Sequence, residues 1–582
     1  MVAICTTSVM VALSVILCRY LGFSPENSAF RFDLGFLPLV VIAHAFGPIF
    51  SGLGYLLADM IGSLLSGYMP NPWISLCAAL FGTVMGLFFH RRRFSLLRTS
   101  LCFLTIGVLV DLLLKTPFLI LLYGWPVGAT YALRAINLLV NLPVRIFTTT
   151  LLMRAIEAPV SKYLGEKPTA FHAYANSFQA VTVPGLARIS MLCELLGHPE
   201  ERLKFIHVAG TNGKGSVCAN IASILMEAGY RTGKYISPNL IRVNERISVD
   251  GEDIGDSDLA RILARLEPLC KEVEKKTGIA PTQFEIWTAA AFVYFEERKC
   301  DYVVLEVGLG GEFDATNVIS KHEIAVITRL GIDHISYLGS SLADIARAKA
   351  GILKPKSTTR ALVTPEQAPE AMEVLRTAAL RYGTKIVCPT PTSEGYEDIF
   401  ERFTLEQYHG LVAGIPGYHQ MENAALAVKA TELLGVSEGA IRRGLSCAKN
   451  PARFERISTD PEIIYDGGHN ENGIEALTKT LARYYGAREK TVIFAAMADK
   501  EIAASLRMLA EGSDTRFLFT TVKENPRALS ASALKARAEA CGIEGEAYEK
   551  ISEALDAAKQ IGRLTVVCGS LYLYKDFIEA FH

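Results

Sequence analysis

Gly210-Thr211-Asn212-Gly213-Lys214-Gly215-Ser216 is a glycine-rich turn with one lysine and two hydroxyls. Glycines let backbone N–H groups approach an anion, a following helix N-terminus favours negative charge, and Lys214 neutralises it, so the chemistry is phosphate binding. The strict phosphate-loop pattern is broken, because Val208 stands at its first glycine and Gly215 separates Lys214 from Ser216. Two further groups have the right type: Glu306, which runs into Gly308-Leu309-Gly310-Gly311, and His334, which follows Gly331-Ile332-Asp333. One carboxylate and one imidazole with a hydroxyl, phosphate oxygens and water would suit Mg²⁺ held mainly through ATP. The other reading of His334 is a supporting partner that never touches the metal.

Elements must bring these groups together. Lys204–Ala209 reads as a buried strand, and Val217, Ile221, Ile224, Leu225 and Ala228 recur at helical spacing, with Gly229 as a stop. Strands are also expected at Tyr302–Val307 and Ile324–Leu330. Open parallel sheets bind ligands beyond the carboxyl ends of their strands, which would put Glu306 and His334 beside the lysine loop. Later strands at Ile463–Tyr465, Thr491–Ala495, Arg516–Thr521 and Leu564–Cys568 alternate with helical segments and predict a smaller Rossmann-like α/β domain, with a hinge near Cys447–Arg453.

Composition divides the 582 residues differently. Only 15 of the first 160 are charged, against 104 of the other 422, and the net charge of −1 leaves neither part the basic excess of a nucleic-acid binder. The twelve cysteines are scattered without zinc-ligand spacing and read as free thiols in a reducing compartment; Cys218, beside the loop, is a candidate for redox sensitivity or simply a small apolar helix residue. Apolar stretches at 3–22, 35–48, 49–66, 73–89, 99–123 and 131–156 predict six membrane helices, with a tight turn at Phe46-Gly47-Pro48. Positive charges at Arg91–Arg93, Arg98, Arg154, Lys162 and Lys167 put both termini in the cytoplasm, giving a multi-pass cell-membrane protein. Ionisable residues at membrane depth suggest a site. Arg31 and Arg134 are candidates for an anionic solute, with Asn137 and Asn141 sharing the face of Arg134; Asp59 and Asp111 lie in or at the ends of apolar segments. Helix-to-helix polar packing is the alternative.

The segment RFDLGFLPLVVIAHAFGPIFSGLGYLLADMIGSLL (31–65), with the six-helix layout, resembles the folate-specific substrate-binding S component of energy-coupling-factor vitamin transporters. That resemblance implies partners: a transmembrane coupling protein and two cytoplasmic ATPase subunits.

The rest of the chain resembles the Mur ligase superfamily, specifically folylpolyglutamate synthase/dihydrofolate synthase. HVAGTNGKGS (207–216), YISPNL (235–240), TQFEIWTAAAF (282–292), LEVGLGGEFDATN (305–317), GIDHISYLG (331–339), GYHQMENAALA (417–427) and YDGGHNENG (465–473) carry the likeness, in order. It implies a multidomain protein: a six-helix membrane bundle (1–160), a phosphate-loop Mur-ligase-like α/β ATPase domain (161–450) and a Rossmann-like glutamate-binding domain (451–582). By the same resemblance Gly210–Ser216, Asn423, Arg453 and Asp466 meet the nucleotide, and Ser237, Glu306 and His334 hold Mg²⁺. Lys349 matches the lysine that the superfamily carbamylates with CO₂; unmodified, it is an ordinary helix lysine beside Arg347. Thr282, Phe284 and Asp314 line the pterin side, and His469, with Asp466, helps bind glutamate. Lys214, Lys349 and His334 form the catalytic set. Glu312 departs from the pattern, replacing the arginine common after Gly-Leu-Gly-Gly.

The implied reaction adds L-glutamate to the γ-carboxylate of a folate through an acyl phosphate made with ATP. Dihydropteroate as acceptor, or both activities, is the alternative. From another class comes a non-catalytic nucleotide-binding regulator of transport, which the retained lysine and acidic positions disfavour.

Overall fold

The computed structural model describes residues 2–20, 34–90, 96–164, 185–354, 360–498, 500–523 and 525–581. The chain divides into two compact units, Met1–Pro168 and Thr169–His582.

The first unit is helical: Val2–Tyr20, Phe36–Leu65, Pro72–Phe89, Leu96–Tyr123 and Val127–Leu164. Among the described residues, four helices are long and apolar enough to cross a membrane, namely Phe36–Leu65, Pro72–Phe89, Leu96–Tyr123 and Val127–Met153. The two helices expected at 35–48 and 49–66 form one kinked run. Gly47 leaves helical geometry (φ 83°, ψ −168°) and Pro48, lacking an N–H, restarts the helix with no connecting loop. Gly86 lets the next helix approach this kink, since a Cβ there would fall 2.3 Å from Pro48 Cα. Leu96–Tyr123 carries a π-helical stretch, Ile106–Lys115. Apolar side chains face outward along the last two helices, with Leu121 84% and Phe147 69% exposed.

The second unit is built on sheets. β1 (Phe205–Ala209), β2 (Thr232–Tyr235), β3 (Ile247–Val249), β4 (Glu252–Asp253), β5 (Tyr302–Glu306), β6 (Ile324–Ile327), β7 (Arg360–Val363) and β8 (Lys385–Val387) form one sheet in the order β4-β3-β2-β5-β1-β6-β7-β8. β2, β5, β1, β6, β7 and β8 run parallel, and β3 and β4 add antiparallel at one edge. Both faces are covered, which is why β1 is buried throughout. Phe205 packs with the helices Asp256–Thr277 and Gln283–Glu297. Ile206 and Val208 pack with Lys214–Glu227, Gln420–Leu433 and Glu438–Cys447.

β6 is shorter than the expected strand. It ends at Ile327 because the next backbone groups turn to other partners: the Arg329 carbonyl accepts from the N–H groups of Thr211 and Asn212 (3.0 and 3.2 Å). A three-stranded antiparallel sheet, β9 (Thr392–Glu397), β10 (Phe400–Leu405) and β11 (Tyr408–Val412), was not expected. The last sheet contains β12 (Glu455–Thr459), β13 (Glu462–Tyr465), β14 (Lys490–Phe494), β15 (Thr515–Phe519), β16 (Gly545–Ala547) and β17 (Leu564–Cys568), ordered β12-β13-β17-β14-β15-β16. All but β12 run parallel, and the sheet buries a core on each face.

Candidate active site

The loop after β1 is shaped by close contacts. Gly210 has φ 148°, and a Cβ there would fall 1.8 Å from Thr328 Oγ1; Gly213 has φ 91°, and its Cβ would meet Asn423 Oδ1 at 2.4 Å. No residue with a side chain fits either place. The helix starts at Lys214, so its unsatisfied first-turn N–H groups belong to the loop. Thr211 donates its hydroxyl to the Gly331 carbonyl (3.0 Å), and Asn450 Nδ2 donates to Ser216 Oγ (3.2 Å). Asn423 is 5% exposed and donates to Gln420 Oε1 (2.9 Å).

Two lysines converge on one carbonyl. Lys214 Nζ donates to the oxygens of Gly210 (3.0 Å) and Thr211 (3.3 Å), and Lys349 Nζ donates to the same Gly210 oxygen at 2.8 Å. Lys349 comes from the helix Leu342–Ala350 and is 5% exposed. Burial, reinforced by the charge of Lys214, brings its amine down to about 7, against the pull of Asp314 and Asp333.

Glu306, at the end of β5, is buried and accepts from the Ser237 N–H (3.1 Å). A Cβ on Gly215 would lie 3.9 Å from its Oε2, so the carboxylate adjoins the loop. Burial pushes its pKa up, while Lys214, the Ser237 N–H and Arg453 oppose that rise. His334 follows β6 in a left-handed conformation (φ 52°). Desolvation in the cleft and the charges of Lys500, Lys214 and Lys349 hold its imidazole down against the attraction of Asp333. Among the described residues no three His, Cys, Asp or Glu side chains gather as a metal cage. The donors present are one buried carboxylate, the hydroxyls of Ser216 and Ser237, and His334. They fit a magnesium ion that draws most of its oxygens from phosphate and water.

A cleft of about 1430 Å³ opens beside the loop, with Ser237, Thr282, Phe284, Asp314, His334 and His469 on its walls. Thr282 also caps the helix Gln283–Glu297, its hydroxyl accepting from Glu285 N at 3.3 Å. Asp314 takes N–H groups from Leu309 (2.8 Å) and Thr316 (2.9 Å), so its buried carboxylate shapes the glycine turn; burial raises its pKa against those bonds. The ring of Phe284 packs on Gly308 and 5.9 Å from Tyr235. Glu312, the departure from the family pattern, lies on the same cleft.

The last sheet closes the other side. Asp466 is buried and accepts from Phe454 N (2.8 Å) and Gly468 N (2.7 Å), fixing the turns that present Arg453 and His469. Burial raises its pKa, and Arg453 opposes this. His469 Nδ1 bonds the Gly467 carbonyl at 2.9 Å. Three residues that the sequence reading passed over tie the sheets together. Lys500 Nζ pairs with Asp333 Oδ1 (2.9 Å), while Asn470 donates to Asn212 Oδ1 (3.2 Å) and Asp333 Oδ2 (3.3 Å). Burial works against ionised Asp333, but the Lys500 hydrogen bond and the charges around it hold its carboxyl well below the usual range. Asp333 and Asn470 carried a signal in the sequence, adjacency to His334 and to His469, and Lys500 carried none. Cys218 is fully buried with its thiol pushed up by burial, which suits a packing residue.

In the helical unit, Arg31 lies outside the described residues. Arg134 is half-buried, and along its helix Asn141 donates to the Asn137 carbonyl (3.0 Å). Among the described residues of this unit, Arg145 pairs with Asp111 (3.8 Å), its guanidinium 5.4 Å from the ring centre of Phe81. Asp111 lies in the π-helical stretch, and Asp59 accepts from Ser75 Oγ (2.7 Å).

A parallel sheet with a phosphate loop, followed by a second α/β sheet that closes on it, is the architecture of a Mur-type ligase. Residues 208–431 match the Mur ligase middle domain, and 452–571 match the Mur ligase glutamate ligase domain. The dihydrofolate synthase/folylpolyglutamate synthase of Bacillus subtilis is 36% identical over 409 residues, covering 68% of this chain and 94% of its own. The folylpolyglutamate synthase of Lacticaseibacillus casei is 34% identical, covering 69% and 95%. Among solved structures, Mycobacterium tuberculosis folylpolyglutamate synthase complexed with ADP and AMPPCP has a TM-score of 0.64 at 32% identity, covering 68% of this chain and 95% of its own. Escherichia coli FolC in complex with DHPP and ADP has a TM-score of 0.63 at 30% identity, covering 72% and 98%. The chain belongs to the folylpolyglutamate synthase/dihydrofolate synthase family of Mur ligases, and is an ATP-dependent ligase of that family.

Proposed function

We propose that the enzyme adds L-glutamate to the γ-carboxylate of a tetrahydrofolate or its polyglutamates by way of an acyl phosphate. The observation that carries this is the loop with two lysine nitrogens on the Gly210 carbonyl, opening beside a cleft large enough for a pterin with its tail. A carboxylate is a poor electrophile, so ATP first transfers its γ-phosphoryl group to the folate carboxylate. Lys214 and the loop N–H groups offset charge developing on the phosphoryl oxygens. The amine of glutamate then attacks the acyl carbon, phosphate leaves, and the amine loses a proton as the amide forms. Phe284, Thr282 and Asp314 wall the acceptor side, and His469 and Asp466 belong to the closing sheet on the glutamate side. That sheet keeps out water, which would hydrolyse the acyl phosphate.

Glu306 and the hydroxyls of Ser216 and Ser237, with His334, would hold Mg²⁺ against the nucleotide, where it would supply positive charge to offset that of the phosphates. Lys349 is suited to carbamylation because its amine is buried and drawn down to about 7. The ammonium first gives up one proton, and the neutral amine then adds to CO₂ with loss of a second, so that a cation becomes an anion that would support the metal. The two-part name of the Bacillus subtilis relative supports dihydropteroate as a second acceptor.

The helical unit serves as a membrane anchor and as a folate-capturing S component, with both termini cytoplasmic and a coupling protein and two ATPase subunits as partners. Four helices of membrane-spanning length and the family likeness of residues 31–65 support that reading. Captured folate would then be glutamylated by the same chain.

The deciding experiment gives the purified full chain ATP, Mg²⁺ and labelled glutamate with tetrahydrofolate, 5,10-methylene-tetrahydrofolate or dihydropteroate. Label should enter the folates, and Lys214→Ala should lower incorporation by at least about 100-fold. No incorporation with any acceptor sinks the proposal.

A further inference from the structure

The segment after β6 holds the phosphate loop from behind. The Thr328 hydroxyl donates to the Asn212 carbonyl (2.7 Å), and the Arg329 carbonyl receives the N–H groups of Thr211 and Asn212. Gln367 grips the same segment from the other side, donating to the Thr328 carbonyl (2.9 Å) and accepting from Leu330 N (3.0 Å). The backbone at Arg329 is thus fixed to the loop whatever its side chain does.

That side chain reaches a different element. Arg329 Nη2 contacts Glu366 Oε2 (2.5 Å) and both carboxylate oxygens of Glu422 (3.2 and 3.4 Å). Glu422 lies in the first turn of the helix Gln420–Leu433, next to Asn423, whose Oδ1 closes on Gly213. One residue therefore joins the loop to the helix that presses on it. The charges explain why an arginine is needed: Glu366 and Glu422 face each other, and burial disfavours ionised Glu422. Without a cation between them, two carboxylates would push the helix and the Glu366 turn apart.

We propose that Arg329 is a positioning residue for the nucleotide, setting the phosphate loop against Asn423 through its ion pairs with Glu422 and Glu366. The inference rests on the reading of the loop as the ATP site. Arg329 does not touch the reacting atoms in this scheme; it fixes where the loop N–H groups and Asn423 stand relative to each other. All three contacts pass through one nitrogen, so a lysine, a single point charge, can replace it.

The test is steady-state kinetics of the full chain, varying ATP, glutamate and folate in turn. Arg329→Ala should raise KM for ATP about tenfold, with kcat within about threefold and KM for glutamate within about twofold. Arg329→Lys should recover most of the ATP affinity, and adding Glu422→Gln to Arg329→Ala should recover part of it by relieving the repulsion. The proposal is overturned if Arg329→Ala leaves KM for ATP unchanged, if the loss falls equally on all three substrates, or if lysine does no better than alanine. Should Arg329→Ala not fold, Glu422→Gln alone decides: KM for ATP raised about threefold supports the role, and an unchanged value ends it. Lys214→Ala separates the two levels. Full turnover in Lys214→Ala removes the ATP-site reading itself, whereas an inactive Lys214→Ala beside an unaffected Arg329→Ala removes only the positioning role.

Discussion

At the residue scale, Lys349 concentrates the chemistry. Its amine is buried, shares the Gly210 carbonyl with Lys214, and loses more to burial and to the Lys214 charge than Asp314 and Asp333 return. Between about pH 7 and the ordinary lysine value of 10.5 the folded chain binds fewer protons here than the unfolded chain. The contribution of Lys349 to stability therefore rises with pH across that window and falls as pH drops toward 7. Lys349→Met should remove this dependence: melting temperature measured from pH 7 to 10 should favour the variant most at pH 7 and least at pH 10. Parallel curves would show that the amine is not depressed. For activity, carbamylation predicts that removing CO₂ and bicarbonate from the assay lowers glutamate incorporation several-fold and that bicarbonate restores it. Lys349→Arg should be insensitive to both.

At the scale of elements, what was legible in the sequence depended on whether an element advertised itself locally. The phosphate loop, the helix after it and the strands β1, β5 and β6 were readable because one apolar period or one glycine cluster specifies each, whereas the early end of β6 was not, because it is set by hydrogen bonds to the distant loop. β9 was not, because Thr392–Glu397 is mostly polar and exposed and contains Gly395. Its sheet is held by a contact that sequence patterns do not report, the fully buried Glu401 of β10 bonded to Arg483 Nη2 (2.9 Å) and Tyr484 OH (2.8 Å) of the helix Glu471–Tyr485. The same limit hid Arg145–Asp111, whose partners sit on different helices. Arg483→Met would strand the Glu401 charge with one remaining donor and should destabilise the chain by about 2 kcal/mol. The double variant with Glu401→Met should recover much of that loss in a thermal melt. Recovery no better than either single change would mean the pair is not what joins sheet to helix.

At the scale of the whole molecule, the two units present different surfaces. Leucines and phenylalanines point outward on helices long and apolar enough to cross a membrane, as the proposed membrane role requires, while the ligase unit has closed cores on both faces of its large sheets. In the proposed reaction, coupling between the sheets of the ligase unit would decide whether ATP is spent on glutamate or on water. Asn470 is the joint, since it bonds Asn212 of the phosphate loop and Asp333 beside His334 while capping its own helix through Gly473 N (2.8 Å). Those two jobs can be pulled apart. Asn470→Ser keeps a cap-forming oxygen but is too short to bridge to both partners, so the helix should stay within about 0.5 kcal/mol of its present stability while closure loosens. If closure protects the acyl phosphate, ADP formed per glutamate incorporated should rise from near one to about two or more in Asn470→Ser, with folate present. Asn470→Ala should show the same ratio together with a melting temperature lowered by loss of the cap, worth about 1 kcal/mol. A ratio that stays at one in both variants would mean that water is excluded by the cleft walls alone, and that the Asn470 bridge serves only to orient the sheets.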